Sequence, residues 1–257
     1  MPYVAFFGAT GGCAGFCLVN SLNAGYDCIA LARTPAKLIK SMQEKGISTG
    51  TLDRHLTIIE GNVKDVDAVK RTLQLPNGSI VDKIVSGIGG TPKLQWSIMK
   101  PVVLTDMTIC QDAGATILRS LQELKPGAGN KPIFINISTT GIPPQGKPRD
   151  VPIAFVPMYD WGLQVPHADK KVLEAKLAEQ FKLPESERGI SGYVNVKPSL
   201  LMDGEGKGLQ AVREGVDEKP AVGYTIQRKD VGLWMFERLV KGEIKEEWMN
   251  KSVSITY

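Results

Sequence analysis

A chain of 257 residues with 42% hydrophobic and 23% charged residues has an ordinary globular composition and suffices for one large α/β domain or two small ones. The formal net charge of +4 is small for this length and no block of lysine or arginine stands out, so nothing implies a nucleic-acid partner. No apolar run approaches the ~20 residues a bilayer needs, no basic-then-apolar leader opens the chain, and the cysteines (Cys13, Cys17, Cys28, Cys110) show no Cys-x-x-Cys spacing. With only two histidines, His55 and His167, a dedicated metal site is not expected, and the setting reads as reduced, cytoplasmic and away from membranes.

The first element is decisive. Val4-Ala5-Phe6-Phe7 reads as a short buried strand, and Gly8-Ala9-Thr10-Gly11-Gly12-Cys13-Ala14-Gly15 follows as a glycine-rich turn into a helix carrying Phe16, Cys17, Leu18, Val19 and Leu22. Strand, glycine turn and helix form the phosphate-binding start of a nucleotide-binding sheet. Gly8 lets the chain turn, Gly11 and Gly12 let backbone approach a pyrophosphate, and Ala14 or Gly15 keeps helix against sheet. Thr10 and Cys13 lie in the same turn, and the helix N-terminus offers N–H groups to phosphates. The spacing Gly-x-x-Gly-x-x-Ala differs from the common Gly-x-Gly-x-x-Gly fingerprint.

Asp27 to Arg33 is the second strand, and its end selects the cofactor. An acid there holds the ribose 2′-hydroxyl of NAD, whereas an arginine accommodates the 2′-phosphate of NADP. Arg33, with Thr34 and Lys37 behind it, favours NADP(H). Pro35 to Lys45 reads as a helix. Leu56 to Glu60 is the third strand, and Gly61-Asn62-Val63 after it would lie beside the adenine. Asp65 caps a helix with Val66, Val69 and Leu73 on one face. Asp82 to Ser86 is the fourth strand, and Gly87 and Gly89 after it let the cofactor pass over the backbone.

From Thr91 to Thr105 the pattern breaks into a loop holding Trp96, Met99 and Pro101, which reads as a wall of a substrate pocket. Asp106 opens a long helix with Ile109, Ala113, Ile117, Leu121 and Leu124 in period. Pro132 to Ile137 is the fifth strand, and Ser138, Thr139 and Thr140 at its carboxyl end are placed to meet a substrate. Residues 141–167 have little period and many prolines. They carry Met158, Tyr159, Trp161 and Leu163, which favours an ordered, pocket-lining segment. Asp169 is expected to cap a helix with Leu173, Leu177 and Phe181 in register. Tyr193 to Val196 is the sixth strand, followed by Lys197-Pro198. A glycine-rich loop at 203–208, a strand near Tyr224, a helix from Asp230 to Val240 and a last strand from Ser252 to Tyr257 complete the chain. The expected architecture is a Rossmann-type, doubly wound, mainly parallel α/β sheet over 1–257. A small C-terminal part from 200 joins loops 91–105 and 141–167 in forming the substrate pocket.

These residues resemble a family. Gly-Ala-Thr-Gly-Gly-Cys-Ala at 8–14, Arg33, Ser138, Lys170-x-x-x-Glu174, Lys197-Pro198 and Arg228-Lys229-Asp230 together resemble atypical short-chain dehydrogenases of the NmrA-like type. Ser-Thr-Thr-Gly at 138–141, Arg-Asp-Val-Pro at 149–152 and Val-Pro-His-Ala-Asp-Lys-Lys at 165–171 look like fungal members. The resemblance implies a Rossmann fold, NADP binding and a substrate pocket built by the shorter C-terminal part. It does not imply one reaction, because the family includes reductases, enzymes of secondary metabolism that isomerise or cyclise, and cofactor-sensing regulators.

One departure bears on chemistry. The superfamily's usual tyrosine, four residues before a lysine, gives a proton to the substrate oxygen. With Lys170 as that lysine, which keeps a ribose-binding role, the tyrosine position is Pro166; with Lys171 it is His167. Asp160, between Tyr159 and Trp161, reads either as an acid in an apolar setting or as a turn aspartate. Tyr159 reads as pocket wall or acid, His167 as a structural or a titrating group, and Arg149-Asp150 as a surface pair. Two function classes follow. One is an NADP(H)-dependent enzyme acting on a small substrate with apolar rings, by imine or iminium reduction or by a redox-neutral, Mannich-type cyclisation or isomerisation of a fungal alkaloid intermediate. The other is a redox-sensing regulator without catalysis. A homodimer is left open.

Overall fold

The computed structural model describes residues 2–90, 92–94, 102–127 and 129–257. In chain order the strands are β1 (Val4–Phe7), β2 (Cys28–Ala32), β3 (Leu56–Glu60), β4 (Lys83–Ser86), β5 (Pro92–Leu94), β6 (Val102–Leu104), β7 (Ile133–Ile137), β8 (Gly192–Pro198), β9 (Leu200–Met202), β10 (Arg213–Val216), β11 (Thr225–Gln227) and β12 (Lys251–Thr256). The helices are α1 (Gly12–Asn23), α2 (Pro35–Glu44), α3 (Thr49–His55), α4 (Val66–Leu73), α5 (Ile109–Leu124), α6 (Gln164–Gln180) and α7 (Arg228–Met235).

Eight strands form one sheet in the order β10-β12-β8-β7-β4-β1-β2-β3, parallel throughout except where β10 pairs with β12. The winding runs outward from the middle in both directions. It reverses between β1 and β4, where Phe7 lies opposite Ser86, and in such a sheet the ligand crevice opens at the carboxyl ends of those two strands. Both faces are covered. Val4 and Phe6 of β1 pack with Cys17, Leu18 and Leu22 of α1 and Val231, Trp234 and Met235 of α7. Ala5 and Phe7 point the other way, to Val69 and Leu73 of α4, Ile117 and Leu121 of α5 and Leu173 and Leu177 of α6. A strand buried on both faces needs an unbroken apolar run, which is why Val4–Phe7 has no polar position.

Several elements depart from the sequence reading. Helix α3 lies in a stretch without a predicted element, and its start is marked by Ser48 accepting from the Thr51 N–H. The break at 91–105 contains a small antiparallel hairpin, with Pro92 of β5 opposite Leu104 of β6; Trp96, Met99 and Pro101 lie outside the described residues. Helix α6 starts at Gln164, not after Asp169, because Pro166 sits in its first turn, where a missing N–H costs no hydrogen bond. Asp169 caps a different helix: its carboxylate accepts from the N–H groups of Cys110 and Gln111 at 2.9 Å each, at the start of α5.

Lys83, at the start of β4, closes the helical segment 236–240 that continues α7. Its ammonium donates to the carbonyls of Leu239, Val240 and Gly242, each at 2.9 Å. Burial lowers its pKa, and the neighbouring Asp82 raises it by less. Lys83→Met is expected to cost about 2 kcal/mol, the scale of hydrogen bonds to a charged group, measured by urea unfolding. An unchanged midpoint would show that water replaces the ammonium at no cost.

Candidate active site

Gly8, at φ +80, turns the chain off β1. A Cβ there would lie 2.8 Å from both the carbonyl carbon and oxygen of Gly87, so the ends of β1 and β4 approach at a distance only glycine allows. Helix α1 then starts with no side-chain cap, leaving its first N–H groups and positive dipole end to the crevice.

On one side of this turn lies a cleft of about 660 Å³, lined by Gly8, Thr10, Gly11, Arg33, Thr34, Lys37, Asn62, Val63, Gly87 and Gly89 among others. Arg33 and Lys37 are exposed on it, and among the described residues the charged head of neither has an ion-pair or hydrogen-bond partner. Lys64, on the same wall, is by contrast held by Asp106 at 2.8 Å and Asp112 at 2.9 Å, and these hydrogen bonds push it up to about 12. The two unpartnered cations are therefore the ones available to an anion.

On the other side lies a space of about 410 Å³ that shares Gly11, Gly87, Ile88, Gly89 and Gly90 with the first, so the two form one crevice across the switch point. It is lined by Gly12, Cys13 and Ala14 from α1, Ser138 and Thr139 after β7, Tyr159, Leu163 and Lys170, Pro198 and Ser199 at the end of β8, and Arg228. Lys170 Nζ donates to the Ile137 carbonyl at 2.7 Å, which fixes it at the end of β7. The Ser138 hydroxyl donates to the Glu174 carboxylate. Behind them, Lys197 pairs with Glu174 at 3.1 Å and donates to the Ile142 carbonyl at 2.7 Å. Burial raises the Glu174 pKa above the usual carboxylate range, although Lys197 and Ser138 both pull it down.

Tyr159 sits in the π-helical turn Met158–Gly162 and is buried. The Thr140 hydroxyl donates to its hydroxyl at 3.3 Å. Burial raises the phenol pKa, Thr140 opposes this, and Asp150 adds to the rise, so Tyr159 is a protonated donor at neutral pH. His167 packs against it at 5.6 Å between ring centroids, and burial lowers its pKa to about 4, so it is neutral. Its Nε2 is buried without a hydrogen-bond partner among the described residues. Cys13 is pushed up to about 12 by burial, against the pull of Arg228 and Lys170, and is an unreactive thiol.

The crevice thus brings together Gly8, Thr10, Gly11, Gly12, Cys13, Ala14, Arg33, Lys37, Asn62, Val63, Gly87, Gly89, Ser138, Lys170 and Pro198, with Thr139 and Tyr159. It leaves out others. Asp160 is exposed, lies 3.5 Å from Arg149 Nη1, and is not among the residues lining the crevice. Of its two readings the apolar setting is absent, because its aromatic neighbours diverge: Tyr159 turns inward and Trp161 is 49% exposed. Met158 is likewise exposed, and neither it nor Trp161 lines the crevice. Arg149 pairs with Asp160 rather than forming a surface pair with Asp150, which is buried and accepts from the Gly141 N–H at 2.8 Å. Sequence reasoning assigned no site role to Arg228, Glu174 or Lys197, and it placed Thr140 towards the substrate, whereas Thr140 is buried behind Tyr159 and does not line the crevice. The signal for Lys197 was present, since a lysine within the apolar strand Gly192–Pro198 requires a buried partner.

Strand order, glycine turn and two-part crevice define a Rossmann-type α/β protein with its ligand crevice at the switch point. The chain is 47% identical over 262 residues to reductase pytE of Aspergillus terreus, covering 100% of this chain and 98% of that protein. It is 35% identical over 285 residues to oxidase pynE of Aspergillus niger, covering 99% and 98%. Its fold is similar to that of a short-chain dehydrogenase/reductase from Veillonella parvula solved in complex with NADP, at a TM-score of 0.67 and 14% identity, covering 100% of this chain and 94% of that one. It is also similar to the anaerobillin reductase ChuY of Escherichia coli, at a TM-score of 0.63 and 15% identity, covering 99% and 96%. No family model matches. The chain belongs to the family of reductase pytE and oxidase pynE, a family of fungal oxidoreductases.

Proposed function

We propose that the chain is an NADP(H)-dependent reductase of a carbonyl or neutral imine carbon in a substrate bearing apolar rings. The observation that carries this reading is the single crevice running from the unpartnered Arg33 and Lys37, past the uncapped start of α1, to Ser138, Tyr159 and Lys170. Its residues suit the cofactor: Arg33, Thr34 and Lys37 the 2′-phosphate, the N–H groups of α1 the pyrophosphate, Asn62 and Val63 the adenine side, and Lys170 the second ribose. When bound, NADPH supplies a hydride. The relatives' names, a reductase and an oxidase, and the neighbour solved with NADP support redox chemistry over cofactor sensing alone.

The chain's own part is the proton. Tyr159 lines the crevice with its proton retained, and the Thr140 hydrogen bond leaves that proton free to go to a substrate heteroatom. The Ser138 hydroxyl is engaged as a donor to Glu174, so its oxygen presents its lone pairs to the substrate. None of the residues lining this end is acidic, while Lys170 and Arg228 are cationic, which suits a neutral acceptor better than a preformed iminium. Asp160, a candidate acid for reduction and cyclisation alike, lies on the surface, and the relatives' names favour reduction over a redox-neutral cyclisation. The apolar side chains Ile88, Ile137, Leu163, Leu200 and Leu201, which line this end of the crevice with Tyr159, suit a ring-bearing secondary metabolite of the fungal alkaloid kind.

Calorimetry on the whole chain tests the cofactor. NADPH is expected to bind at least about tenfold more tightly than NADH, because a charge-assisted contact to the 2′-phosphate contributes roughly 1.5–3 kcal/mol. Arg33→Ala should narrow the gap. Equal affinities in the parent protein would overturn the NADP assignment. Tight NADPH binding with no oxidation by a panel of aromatic ketones, quinones and imines would favour the sensor.

A further inference from the structure

Four consecutive residues at the junction of β11 and α7 grip the glycine-rich loop 203–208. Gln227 accepts from the Gly206 N–H, Arg228 pairs with Asp203 at 2.9 Å, and Lys229 pairs with Glu205 at 2.8 Å. Buried Asp230 accepts from the N–H groups of Lys207 at 2.6 Å and Gly208 at 3.2 Å. Of these four only Arg228 also lines the crevice. Its stem lies on Gly12, the first residue of α1: a Cβ on Gly12 would fall 2.2 Å from Arg228 Cδ. Glycine is required there by the arginine packed over it, not by the turn itself. The guanidinium is therefore anchored by its stem beside the uncapped helix start, while its head is held by a carboxylate that is 87% exposed.

We infer that Arg228 is a third phosphate-binding cation, beside Arg33 and Lys37, which passes from Asp203 to the cofactor's pyrophosphate at the N-terminus of α1. The inference rests on the NADP(H) reading above. Asp203 is well hydrated, so its hold is weak and screened, and releasing it costs little. A pyrophosphate on the helix N-terminus offers more charge and an oxygen geometry that matches the planar fork of a guanidinium. The contacts made by Gln227 and Asp230 keep the backbone of this junction in place, so only the head of Arg228 needs to move.

The test is calorimetry of NADPH and NADH binding to the whole chain at low salt. Arg228→Ala should weaken both nucleotides roughly 10- to 100-fold and equally, since both carry the pyrophosphate. Their affinity ratio, which Arg33 sets, should not move. Asp203→Asn, at an exposed position that leaves the fold intact, should tighten both about 2- to 5-fold, and the gain should vanish near 1 M salt. If the parent discriminates NADPH from NADH but Arg228→Ala binds both as the parent does, the inference falls while the cofactor reading stands. A changed ratio in Arg228→Ala, or weaker binding in Asp203→Asn, also overturns it. A parent that binds neither nucleotide overturns both readings.

Discussion

Tyr159→Phe is expected to lower NADPH-linked turnover about 10²–10⁴-fold, the usual worth of general acid catalysis, while leaving NADPH affinity within about twofold. The substitution keeps the ring that packs on Phe155 and His167 and removes only the hydroxyl. It acts at the crevice wall, whereas the contacts suited to the cofactor lie on Arg33, α1 and Lys170. Because burial raises the phenol pKa and the acid form is the active one, the alkaline fall in the parent's rate should come at higher pH than an ordinary tyrosine would give. Asp160→Asn, on the surface and paired with Arg149, should turn over at the parent rate. A Tyr159→Phe variant that turns over normally would show that solvent or the cofactor protonates the product. A dead Asp160→Asn would mean that the segment 158–162 rearranges when substrate binds.

The parts of this site that are legible in the sequence are the local ones. A buried strand, a glycine turn and a helix occupy consecutive residues from Val4 to Asn23, and the cofactor-selecting cation follows at the next strand end, Arg33. No long-range contact is needed to read them. Asp169 shows where this stops. An aspartate before an amphipathic run is an N-cap signal, yet Pro166 lets α6 begin earlier and frees the carboxylate for α5, far away in sequence. The choice between Asp160 and Tyr159 is of the same kind. They are adjacent in a π-helical turn inside a proline-rich stretch without period, so only packing against Phe155, Thr140 and His167 decides which one faces inward. Arg228 with Asp203 and Glu174 with Lys197 join residues more than twenty positions apart, and a single sequence carries no record of such pairs.

Lys197→Met should cost about 3–5 kcal/mol at neutral pH, because removing one partner of a buried ion pair leaves the other charge uncompensated. Lys197 is 2% exposed, and its ammonium serves both the Glu174 carboxylate and the Ile142 carbonyl. The loss should depend on pH in a definite direction. Burial already raises the folded-state pKa of Glu174 above its ordinary value of 4.5, so in that range the folded state holds more protons than the unfolded chain. Stability conferred by such a group falls as pH rises from the unfolded value through the folded one. Lys197 is an influence that lowers this pKa, so its removal moves the folded value up and widens the window of falling stability. In urea unfolding the deficit of Lys197→Met relative to the parent should therefore be smallest near pH 5 and grow towards pH 8. Adding Glu174→Gln to Lys197→Met removes the titrating group and should recover most of the neutral-pH loss. A deficit that is the same at both pH values, and that the added Glu174→Gln leaves unchanged, would assign the cost to the Ile142 carbonyl and to packing instead. Because Ser138 donates to the same carboxylate, protonating Glu174 in the variant would also turn the serine oxygen from an acceptor towards the substrate into a partner of the acid. Lys197 therefore joins the stability of the sheet to the polarity of the crevice, although it lines neither part of it.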